Sequence, residues 1–118
     1  MVFPGFLQWL YGTGEYVPSA TEQNKLAVVG MEDQFPSQQD FTTFLNHFIS
    51  HPQAATFAAV QVNNGVNDPN NPGEQPNVEI QYAAVMAFPT PLVFYSVGGD
   101  IRWNLADGRP IAGDASLE

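Results

Sequence analysis

The 118-residue chain has no cysteine. No disulfide can staple it, and no thiolate can serve as a nucleophile or metal ligand. Basic residues are scarce. Only Lys25, Arg102 and Arg109 oppose twelve acidic residues, for a formal net charge of −9. A nucleic acid or an anionic membrane would be repelled by such a surface, so neither is expected as a partner. Long apolar runs are missing too: "LAVVG" and "PLVFYSVGG" fall far short of the ~20 residues that span a bilayer, and membrane insertion is not expected. No Asn-x-Ser/Thr acceptor occurs, so N-glycosylation is not expected. No Gly-x-Gly-x-x-Gly follows an apolar run, and no dinucleotide cofactor is implied.

What remains is a chain that is 44% hydrophobic with nine Phe, enough for one ordinary domain over residues 1–118 that buries about 65% of its unfolded surface. "KLAVVG" (25–30) is a continuous apolar run, the pattern of a covered strand. In "FPSQQDFTTFLNHFISHP", Ser37 and Asp40 have capping-box spacing. Phe41, Phe44, Leu45 and Phe48 follow at i, i+3, i+4 and i+7, which predicts a helix with one apolar stripe. "TFAAVQV" (56–62) predicts a second strand, and the Asn, Pro and Gly of "NNGVNDPNNPG" a surface loop. From about Gln75 a second helix runs until Pro89 and Pro91 stop it, with apolar residues on two sides, so it is expected to be mostly buried. "PLVFYSVGG" predicts a third strand.

Strand, helix, strand, helix, strand predicts an α/β fold: a three-layer, Rossmann-like parallel sheet of about three strands, with right-handed crossovers and helices on both faces. Asp107-Gly108, between two short apolar stretches, predicts a C-terminal hairpin covering a sheet edge or pairing with another copy. Ile101, Trp103 and Leu105 alternate with polar residues. Their apolar face either covers the chain's own core or makes a partner contact, which includes a homodimer. Met1 and Leu117-Glu118 read as an expression start and a vector remnant, compatible with removal of a signal peptide.

Three constellations have candidate chemistry. His47 and His51 have the spacing of a zinc pair, but Phe48 stands where Glu would be needed, so two imidazoles near a helix C-terminus are the better reading. Asp68, Asn70, Gly73 and Glu79 fit four positions of a calcium loop whose fifth is Pro72, which favours a plain surface loop. No metal is expected. Glu32 and Asp33 after the first strand, with Gly98-Gly99 after the third, mark the crevice where open parallel sheets take ligands; a solvated acidic turn is the simpler account.

"LQWLYG", "KLAVVGMEDQF", "QDFTTFL" and "NPGEQPNVEIQYAAVMAFPTPLVFYSVGG" together resemble the opening part of the fungal sedolisin peptidases, the serine-carboxyl group that includes tripeptidyl peptidases. The resemblance runs from about Leu7 to Gly99 and implies a single truncated sedolisin-like domain. The family's helix resembles G-x-E-A-N-L-D-I-Q-Y, in which Glu and Asp four residues apart act together as the base for a serine. The Glu falls on Gln75 and the Asp on Glu79. An amide accepts no proton at working pH, so Gln75 is unfit as a general base and both positions are read as vestigial. Glu74 is no substitute, since it lies about 140° around a helix from Glu79. No serine stands in the family's Gly-Thr-Ser context.

No peptidase activity is therefore expected. Small secreted immunomodulatory proteins of bracket fungi also resemble this chain. That likeness implies a secreted, non-catalytic protein that activates macrophages through a receptor of Toll-like type, with no cofactor. The alternative is an inactive fragment of a larger tripeptidyl peptidase.

Overall fold

The computed structural model describes residues 2–19, 23–31, 34–50, 52 and 56–98. Six elements follow in order: α1 (Pro4–Leu10), β1 (Leu26–Gly30), α2 (Gln38–Phe48), β2 (Ala58–Val62), α3 (Glu74–Met86) and β3 (Leu92–Val97). The three strands are parallel in the order β1-β3-β2, the open α/β sheet expected from the alternation of elements. The last strand lies in the middle, with Val28 beside Phe94 on one flank and Ala59 beside Phe94 on the other.

Strand periodicity decides what the sheet covers. Leu92 and Phe94 point to one face, which joins Phe41 and Leu45 of α2 and Ile80, Ala84 and Val85 of α3 in a single core. At its centre is a set of phenylalanine rings. Phe94 is fully buried, meets Phe35 edge-on at 5.6 Å and lies 6.5 Å from Phe57, which in turn meets Phe41 edge-on at 5.2 Å. Edge-to-face contacts at such separations are the favoured aromatic geometry. Gly30 makes room for this, because a Cβ there would run into the ring of Phe94.

Both connecting helices thus lie on the same side. The chain crosses from β1 to β2 through α2 and returns to β3 through α3, so two crossovers on one face have opposite hands. One of them departs from the right-handed rule, contrary to expectation. The physical reason is the shared core: α2 and α3 pack against each other and α1 against α3, burying their apolar stripes together. No helix among the described residues covers the opposite face, where Val29, Val60 and Val62 are exposed. The expected C-terminal hairpin lies outside the described residues.

Two elements differ in detail from expectation. β2 begins at Ala58 rather than Thr56, because the Phe57 N–H bonds the Gln38 side chain (3.4 Å) instead of the ladder. α3 is buried along Pro76, Ile80, Ala84 and Val85, but Val78 is 50% exposed, so its second apolar side faces solvent rather than a packed layer. α1 was not foreseen as a helix. Pro4 occupies its first turn, a position where the missing N–H costs nothing.

Candidate functional site

The candidate site is the first half of α3. Gly73 is extended before the helix and supplies no side-chain cap. Pro76 is accommodated because first-turn N–H groups have no intrahelical acceptor. Gln75 and Glu79 are one turn apart and both exposed. The Gln75 Nε2 amide donates to Glu79 Oε1 at 3.0 Å. The two positions brought together by the resemblance are therefore in contact, as an amide–carboxylate pair. In this arrangement Gln75 is a donor and Glu79 an acceptor, an exposed i,i+4 contact worth a few tenths of a kcal/mol. Glu74, also exposed, lies on another side of the helix.

A neighbouring residue, unnoticed in the sequence, ties the site to the rest of the fold. The Ser37 N–H donates to Asn77 Oδ1 at 2.7 Å, and Asn77 Nδ2 donates to Asp40 Oδ2 at 2.9 Å. Ser37 caps α2 as expected, with its Oγ accepting from the Asp40 N–H at 3.1 Å. The return half of the capping box is replaced: Asn77 accepts from the N-cap N–H where the Asp40 carboxylate was expected to, and engages that carboxylate as well. Only the contact between α2 and α3 makes this possible, and nothing in residues 37–40 signals it. Asn77→Ala is expected to cost about 1–3 kcal/mol, since it leaves the Ser37 N–H without its acceptor; urea unfolding followed by circular dichroism measures it.

Along the same helix seam runs an open depression lined by Asp40, Thr43, Phe44, His47 and Gln81. The imidazole of His47 stands edge-on to the Phe48 ring at 4.7 Å; His51 lies outside the described residues. Of the calcium-like spacing, Asp68 Oδ1 accepts from the Asn70 N–H at 3.0 Å, a local turn, while Glu79 belongs to α3. Among the described residues no three His, Cys, Asp or Glu side chains gather as a metal site, and no helix is long and apolar enough to cross a membrane. Glu32, Asp33, Gly99, Ile101, Trp103 and Leu105 lie outside the described residues.

Comparison with known proteins bears on this helix and sheet. The chain is similar to a segment of fungal tripeptidyl-peptidases. It is 26% identical over 101 residues to Tripeptidyl-peptidase SED2 of Arthroderma otae, an alignment covering 84% of this chain and 17% of that protein. The same identity and coverage hold for Probable tripeptidyl-peptidase SED2 of Arthroderma benhamiae and of Trichophyton verrucosum. The chain thus spans about one sixth of the length of these relatives. No family profile matches it, and no solved structure matches.

Proposed function

We propose that this chain is a sedolisin-type tripeptidyl-peptidase segment, inactive as it stands. The similarity to 17% of the length of fungal tripeptidyl-peptidases supports the first half of that reading. One observation supports the second: where the resemblance puts the family's general base, an amide donates a hydrogen bond to Glu79. A group already giving its proton to the neighbouring carboxylate, and with no ionisable form of its own, cannot take one from a serine.

The test is hydrolysis of a fluorogenic tripeptide substrate at acidic pH by the purified 118-residue chain. We expect release at the buffer rate. Gln75→Glu is expected to leave it there, because restoring a carboxylate supplies no attacking hydroxyl in the Gly-Thr-Ser context. Release that disappears in Glu79→Ala overturns the reading.

The more specific role, a secreted ligand for a Toll-like receptor on macrophages, is supported by the resemblance to small fungal immunomodulatory proteins. It is compatible with an inert α3 site, and stimulation of cultured macrophages under endotoxin-free conditions decides it. An isolated peptidase segment has no reason to stimulate them.

A further inference from the structure

The first charged side chain after the N-terminus is Glu15, in a chain of net charge −9. The residues before it form α1 and its flanks, and they are unusually apolar at the surface. Trp9 is 75% exposed and Tyr11 71%, with Leu10, Val2 and Phe3 each about half exposed and Phe6 at 40%. These side chains form one surface. Helical spacing puts Phe6, Trp9 and Leu10 on one arc of α1 beside Phe3, and the rings follow one another, Phe3 to Phe6 at 6.4 Å and Phe6 to Trp9 at 5.9 Å. Isolated exposed apolar residues are ordinary, but a contiguous patch of several hundred Å² marks a contact surface.

The patch is also fixed in place. Pro4 is buried, α1 packs on α3, and the Tyr82 hydroxyl, whose ring lies 5.4 Å from Phe44, donates to the Val2 carbonyl at 2.7 Å. The aromatic side chains are therefore presented by a short helix anchored to the core, so little ordering cost remains for association.

We propose that α1 is the contact surface of a homodimer, with the Phe3–Phe6–Trp9 face of one copy packed on that of the other. Charge selects this occupant. Two copies carrying nine excess negative charges each repel wherever their acidic surfaces approach, and α1 is a face on which they meet without any formal charge. An uncharged apolar patch is complementary to itself, the requirement of a twofold interface. An anionic membrane or a nucleic acid is disfavoured by the same charge. The area suffices: at 150–250 Å² per aromatic side chain, the exposed fractions sum to roughly 600–900 Å², near the ~800 Å² per partner of a standard interface. The proposal is independent of whether the chain hydrolyses peptides.

Sedimentation velocity of the full chain from about 1 to 100 µM, in 50 and 500 mM NaCl, tests it. A monomer–dimer equilibrium is expected, with the dimer unchanged or strengthened by salt, since screening removes repulsion between like-charged copies and breaks no ion pair. Trp9→Glu is expected to weaken dimerisation by about 30-fold or more, the loss of a typical hot-spot residue. Its circular dichroism and melting temperature should match the parent, because Trp9 is three-quarters exposed.

In Trp103→Phe, Trp9 becomes the sole tryptophan, and its emission should move to the blue as concentration rises through the dimer range. A chain that stays monomeric at all these concentrations overturns the proposal. So does a dimer that Trp9→Glu leaves intact, or one whose assembly leaves the Trp9 emission unmoved.

Discussion

Phe94→Ala should lower the free energy of unfolding by about 3–5 kcal/mol, a large share of the 5–15 kcal/mol that holds a domain folded. The melting temperature should fall by roughly 10–20 °C. The size follows from position. Phe94 is fully buried in the middle strand of the sheet, and its ring touches the aromatic set that joins the loop before α2, the lead-in to β2 and the helices. Removing it vacates the point where every part of the core meets, and fixed strands on either side leave the cavity little freedom to collapse. Urea denaturation followed by far-ultraviolet circular dichroism gives the value. A cost below about 1.5 kcal/mol, the range of volume-conserving swaps, contradicts this account of the core.

Gly30→Ala should cost about 1–3 kcal/mol, the usual penalty for overfilling a packed interior. The added methyl meets the Phe94 ring, and that ring is hemmed in by Phe35 and Phe57. Because a single contact underlies both predictions, the two substitutions should not be additive. In the Phe94→Ala background the methyl enters a space already vacated, so Gly30→Ala should become nearly neutral, a coupling of 1 kcal/mol or more between the sites. Equal costs in the two backgrounds would mean that Gly30 is required for some other reason.

The sequence makes much of this architecture legible, and the limits have physical causes. β1 and β3 are continuous apolar runs, a signal that depends on local composition alone, and Ser37 with Asp40 marks the start of α2 because capping is local chemistry. The handedness of the crossovers is not local. It depends on which face α3 chooses after leaving β2, and the apolar residues on two sides of that helix allow either. Val78 shows the result, an apolar residue in solvent because the layer that would have covered it is absent from that side among the described residues.

The site shows the same division. Gln75 and Glu79 are readable through helical spacing, and their contact at 3.0 Å is what i,i+4 residues make. Asn77 could not be found in this way, since its partners Ser37 and Asp40 lie 40 and 37 residues away. The α1 surface was overlooked for a different reason: seven residues are too few for periodicity to stand out. Pro4 followed by Phe6, Trp9 and Leu10, in a stretch without charge, was the available signal.

The order of the strands has a consequence for biosynthesis. β1 and β2 never touch each other; each hydrogen-bonds only to β3, the last of the three to be translated. Until residue 97 has left the ribosome, the two earlier strands have no edge to join, and no part of the sheet can assemble progressively behind the growing end. A nascent chain of this kind carries its apolar segments unpaired through most of its synthesis.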